Sequence, residues 1–147
     1  MSLNFLAYLG LIFFLVGCGD SPFLEEDSGN HQTQVIQGLE TGLLFASAGI
    51  TVKSYWRDGP NIGDESKLLI VLLGQDGTPL SEDLDLRLKL WMPTMGHGSF
   101  PVTLSRLANG VYEAREIFFT MPGYWDIHFQ IFQENNLDEE VKWGLNL

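Results

Sequence analysis

The chain has 147 residues, a length that favours one domain, and its 19 acidic residues against 8 basic ones give a formal charge of −11. That balance excludes nucleic acid as a partner, because phosphate binding needs clustered Lys and Arg, and it argues against electrostatic attachment to an anionic bilayer. The one cysteine, Cys18, excludes a disulfide within the chain.

Phe5 to Val16 is a run of twelve apolar or small residues. A bilayer span takes about 20, so the run has the length of a signal-peptide core instead. It ends in Leu15-Val16-Gly17-Cys18, which resembles the lipobox of bacterial lipoproteins. In that family the cysteine thiol receives a diacylglycerol and cleavage falls just before it. The opening Met1-Ser2-Leu3-Asn4 departs from the pattern in carrying no Lys or Arg. The resemblance implies a signal peptide over residues 1–17 and lipidation at Cys18. It also implies a place in the cell envelope, periplasmic or on the outer face of a bacterial membrane. Such an anchor holds because each buried methylene contributes about 0.8 kcal/mol and two or more acyl chains act together. Residues 18–44 are then a polar, acidic tether without periodicity. His31 lies in it and reads as a solvated linker histidine.

The domain is expected over 45–147, and from Gly49 onward the pattern is that of strands. Gly49–Trp56 alternates, and Lys67–Leu73 is a nearly continuous apolar run of the kind a buried strand shows. A loop rich in turn residues separates them at Arg57–Gly63. Residues 83–92 give the cleanest period of two: Leu84, Leu86, Leu88, Leu90 and Met92 face one way, and Asp83, Asp85, Arg87, Lys89 and Trp91 the other. Ser99–Leu104, Val111–Phe119 and Tyr124–Phe132 follow, with Glu140–Leu145 as a last edge strand. Parity breaks between Ala114 and Ile117, which predicts a β-bulge at Arg115-Glu116. About seven short strands with frequent turns predict an all-β, immunoglobulin-like antiparallel β-sandwich over 45–147.

Between two of these strands lies Met92-Pro93-Thr94-Met95-Gly96-His97, echoed by Met121-Pro122-Gly123-Tyr124-Trp125. Proline and glycine break the backbone there, so thioethers and an imidazole gather in loops. Soft ligands of this kind suit Cu(I) more than Zn²⁺. If successive strands alternate in direction, both loops and the loop around Asp58 to Asp64 fall at one end of the sandwich. Met95 and His97 are then the first candidate ligands. Met121 fits a ligand or a packing role equally, and Met92 reads as core filler or ligand. Trp91 can cap a bound ion through its ring or serve as one face of the sheet. His128, pointing outward well along its strand, reads as a solvated surface histidine.

In order along the chain, Gly59-Pro60-Asn61-Ile62-Gly63, Leu69–Leu73, Gly77-Thr78-Pro79, Met92–His97, Gly110-Val111-Tyr112 and Met121–Trp125 resemble YtkA-like domains, which are related to FixH-like proteins. The resemblance covers about residues 45–133. It implies an extracytoplasmic β-sandwich, often lipid-anchored, with a copper-handling role in metal homeostasis or oxidase assembly. A copper acceptor or a membrane protein would be the partner. The alternative from a different class is a protein-interaction module whose apolar loop end docks an envelope partner without metal. No enzyme motif is present: the sequence carries no phosphate loop, nucleophile triad or zinc-hydrolase signature.

Overall fold

A computed structural model describes residues 42–147. The expected signal peptide, Cys18, His31 and most of the tether lie outside the described residues. Nine strands form among those described: β1 (Leu43–Phe45), β2 (Ile50–Asp58), β3 (Glu65–Leu73), β4 (Asp85–Met92), β5 (His97–Gly98), β6 (Thr103–Ala108), β7 (Val111–Phe118), β8 (Tyr124–Gln133) and β9 (Asn136–Asn146). They make two antiparallel sheets, in the orders β1-β2-β3-β7-β6 and β5-β4-β8-β9. Apart from β1, this is the strand arrangement of the immunoglobulin sandwich, A-B-E-D against C′-C-F-G.

Strand alternation builds the core. On β4 the leucines at 86, 88 and 90 and Met92 are buried, and on β8 so are Trp125, Ile127, Phe129 and Ile131. Leu68, Ile70 and Leu72 of β3 complete the opposing layer. Each such side chain stabilises the fold by about 1.5–3 kcal/mol relative to exposure. The parity break falls where expected. Ser66 pairs with Ile117 and Leu68 with Ala114, so β7 spends one residue more than β3. Glu116 takes φ +60° in the bulge, and its N–H donates to the Glu65 carboxylate at 3.0 Å.

The count of strands differs from the expected seven for two reasons. Leu43 and Leu44, placed in the tether by composition, pair with Val52 and Thr51 as the short β1. The short β5 forms at the end of the expected loop and pairs with β4, while the strand expected over Ser99–Leu104 is displaced to β6 and pairs with β7 on the other sheet. Pro101 stands in the crossover between them, where a missing N–H interrupts the ladder.

His128 also departs from expectation. It points away from the core, yet it is only 6% exposed. Strand β8 is interior to its sheet, so His128 is flanked on both sides, by Lys89 on β4 and Lys142 on β9. Long side chains cover an outward neighbour with their methylene stems. Glu140 stands 2.9 Å from Nδ1, but out of line for a hydrogen bond, and neither ring nitrogen has a hydrogen-bond partner.

Candidate functional site

One end of the sandwich collects the chemistry. Strands β2, β4 and β7 finish there and β8 starts there, and the loop after β2 closes on it: Gly63 donates to the Phe119 carbonyl at 2.9 Å and Ile62 bridges to Phe119. The C-terminus joins it too, with Gly123 and Leu147 exchanging backbone hydrogen bonds of 2.9 and 3.0 Å.

The β4–β5 hairpin is built by its own sequence. Pro93 has no N–H to extend the ladder, and Gly96 takes φ +67°, a conformation that costs residues bearing a Cβ. The Met92 carbonyl accepts from Met95 and Gly96 at 3.1 and 3.0 Å. That turn sets His97 directly opposite Met92. Directly opposed residues of an antiparallel pair share a face, so the imidazole lies on the same side as the Met92 thioether, at the edge of the sheet.

Met121 arrives from the other chain segment. Its carbonyl accepts from Trp125 Nε1 at 3.1 Å, which ties the Met121-Pro122-Gly123 turn to the core. Met92 reaches this turn directly, since a Cβ on Gly123 would stand 2.6 Å from Met92 Cε. Met92, His97 and Met121 are therefore brought to one corner. Met92 is 4% exposed, His97 is half-buried, and Met121 packs on the core. His97 Nδ1 lies 3.3 Å from the Gly98 carbonyl. In the tautomer that donates there, Nε2 keeps its lone pair for an incoming ion.

Two candidates stand apart. Met95 occupies the hairpin tip and is 59% exposed. Trp91 alternates with Met92 and so lies on the outer face of the sheet. Its ring packs over Gly98 and under the Lys89 ammonium, which is 4.6 Å from the ring centroid. Of the two roles the sequence allowed it, this placement is that of the sheet face, on the side away from Met92. The indole that does meet His97 is Trp125, edge to face with centroids 6.2 Å apart. Trp125 continues a run of ring contacts through Phe119 (5.5 Å) and Trp56 (5.9 Å) to Trp143 (5.8 Å). The sequence carries a signal for this: Trp125 alternates in phase with Ile127, Phe129 and Ile131, which marks it as core, and the core at this end is what backs the imidazole.

Among the described residues, no group of three or more His, Cys, Asp or Glu is gathered as a metal cage. A metal site here must draw on thioethers and one imidazole, a donor set suited to a soft monovalent ion rather than to Zn²⁺ or Ca²⁺.

Residues 47–130 match the family model described as YtkA-like. The matched span is more than half of the chain and contains every one of these donors. No curated protein matches the chain.

Proposed function

The chain belongs to the YtkA-like family, and from that premise we propose that it is an exported, lipid-anchored domain that carries Cu(I) as cargo, as a transfer or accessory factor in metal homeostasis or oxidase assembly. The observation that carries this reading is the pairing of Met92 with His97 on one face, with the Met121 turn against them. Two thioethers and an imidazole make a soft donor set, which matches a soft monovalent ion such as Cu(I). Three ligands leave the ion short of a closed shell, which favours hand-over by ligand exchange over storage. Met95 at the tip is the donor able to reach outward during that exchange.

Export and anchoring rest on the lipobox at Cys18. Cys18→Ala is expected to shift the protein from the membrane fraction to the soluble one, because a single residual apolar segment of this length holds weakly. No bond-making step is assigned to the domain.

The test is a Cu(I) titration against a chromophoric chelator, using a soluble form that begins after Cys18. One-to-one binding is expected, weakened about tenfold or more (1.4 kcal/mol) by His97→Ala and by Met92→Leu. Failure to compete at micromolar protein would remove the carrier reading.

A second reading has its own observation. Among the described residues, Ile62, Met95, Phe100 and Tyr124 are four of the seven exposed large hydrophobic ones, and all four lie toward this end. Phe100 is edge-on to Phe118 at 6.4 Å. An apolar rim of this kind marks a docking surface. If copper does not bind, the same end serves as a protein-interaction module for an envelope partner.

A further inference from the structure

The outer face of the four-stranded sheet carries a row in register that the metal reading leaves unused: Gly98 on β5, Trp91 on β4, Asp126 on β8 and Gly144 on β9. An aromatic ring lies on each glycine. A Cβ on Gly98 would stand 3.3 Å from Trp91 Cε3, and one on Gly144 would overlap the Tyr124 hydroxyl and come within 2.8 Å of its Cζ. Strand side chains ordinarily stand upright from the sheet. Here two rings are laid over backbone, one on each side of Asp126. Tyr124 is 45% exposed. The Asp126 carboxylate, as hydrogen-bond acceptor and then as a nearby charge, holds the phenol above its ordinary range.

The rows below continue the pattern with polar groups. Lys89, His128 and Lys142 are in register, then Arg87, Gln130 and Glu140. Donors and acceptors are interleaved, and the face carries the three cations Arg87, Lys89 and Lys142 and as many carboxylates, Asp85, Asp126 and Glu140, with Arg87 paired to Asp85 at 2.6 Å. A balanced face is notable on a chain of formal charge −11.

We propose that this face binds a β-1,4-linked polysaccharide strand. A pyranose ring in such a chain offers a flat C–H face to an aromatic ring and a rim of hydroxyls to charged and amide groups. Gly98 and Gly144 are three inter-strand steps apart, roughly 14 Å at about 4.8 Å per step, a span that a few linked sugar rings cover. An anionic polymer would need uncompensated cations, and these are matched by carboxylates. A protein partner would favour an apolar centre with a charged rim, the reverse of what surrounds Asp126. The Lys89 ammonium on Trp91 is no obstacle, since an exposed cation–π contact is worth about 0.5–1 kcal/mol and the ammonium can turn to a sugar hydroxyl.

The full chain is titrated with the tetramers of β-1,4-linked N-acetylglucosamine and of β-1,4-linked glucose, reading backbone amide shifts. Saturable shifts are expected at Gly98, Asp126 and Gly144. Preference for the first sugar identifies an acetylated wall polymer, and equal binding identifies the pyranose backbone alone; either supports the proposal. Trp91→Ala and Tyr124→Ala should each weaken binding about tenfold, while Tyr124→Phe keeps the ring and most of the affinity. Should an alanine variant fail to fold, the shift map of the parent chain and the Tyr124→Phe result still decide. No saturable shift at these amides with either tetramer at millimolar concentration overturns the proposal, as does binding that persists in a folded Trp91→Ala variant.

Discussion

Gly110 and Gly96 have nearly the same backbone conformation, φ +64° and +67°, and opposite surroundings. A Cβ on Gly96 meets nothing within 4 Å, whereas one on Gly110 would stand 2.5 Å from the Leu80 amide nitrogen and 2.6 Å from the Leu72 carbonyl oxygen. Both alanine variants bear the left-handed penalty of about 1–2 kcal/mol. Only Gly110→Ala must also push backbone apart, so it should cost about 3 kcal/mol or more. Urea midpoints of the two variants separate these contributions, and equal losses would show that the backbone around Leu72 yields. Glu113 makes a second prediction at this scale. It is 2% exposed on the outer side of the five-stranded sheet, and its carboxylate accepts from Arg115 and Arg57, each at 2.5 Å. The Arg115 hydrogen bond, more than the charge of either guanidinium, holds its pKa below the ordinary carboxylate range. The folded state therefore favours the ionised form, and the unfolded chain binds the proton more readily. Its contribution is complete above the unfolded value of about 4.3 and fades as pH falls through the lower folded value. Denaturant melts between pH 6 and 3 should show an acid-side loss that is shallower in Glu113→Gln, a variant that is less stable than the parent at neutral pH. An unchanged acid slope would mean the two arginines, both half-exposed, are screened too well to matter.

Alternation made the long strands legible. The leucines of β4 and the aromatics of β8 declare their faces, and the bulge in β7 showed itself as a parity break before any coordinate. What sequence could not supply was the partner of each strand. β1 is three residues long, too short for a period to register, and it is a strand because β2 offers it an edge. The split of β5 from β6 follows from the sheet switch across Pro101, a fact of topology rather than of composition. His128 shows the same limit: parity gave its direction, but its burial comes from Lys89 and Lys142 on other strands. For the candidate site, the loops that share one end of the sandwich were legible, whereas the placing of His97 opposite Met92, with Met95 out at the tip, depends on the β4–β5 register. For Trp91, parity placed the ring opposite Met92, and it lies on that outer face over Gly98. The β8–β9 turn carries a prediction at this scale. Glu134 and Asn135 have φ +50° and +65° between the paired residues Gln133 and Asn136, which is the two-residue turn that favours Asn then Gly. Asn135 is suited to it and also accepts from Arg87 at 3.1 Å, so it should be left alone. Glu134→Asn is expected to stabilise the protein by about 0.5–1 kcal/mol, read as a raised urea midpoint with unchanged slope. A lower midpoint would mean that the Glu134 side chain contributes more than its strained backbone costs.

At the scale of the whole molecule, the dominant electrostatic quantity is the formal charge of −11. Two effects of salt oppose each other. Screening weakens the attractive pairs, such as Arg87 with Asp85 at 2.6 Å and Arg106 with Asp83 at 3.6 Å. It also weakens the repulsion among the unmatched carboxylates, which favours the compact state. Exposed pairs contribute at most about 1 kcal/mol each and often nothing measurable, and the fork on Glu113 keeps two hydrogen bonds that salt does not remove. The repulsion, by contrast, is summed over the whole surface, and its range falls to about 10 Å at 0.1 M salt. Repulsion should therefore win, and the melting temperature at pH 7 should rise by a few degrees between about 0.01 and 0.3 M NaCl. The same experiment at pH 4.5, where part of the carboxylate charge is already neutralised, should show a smaller rise. A melting temperature that falls with salt at neutral pH would place the attractive pairs above the net charge in the stability of this sandwich. The balanced outer face around Asp126 would then be only one of several places where its charges are arranged to attract.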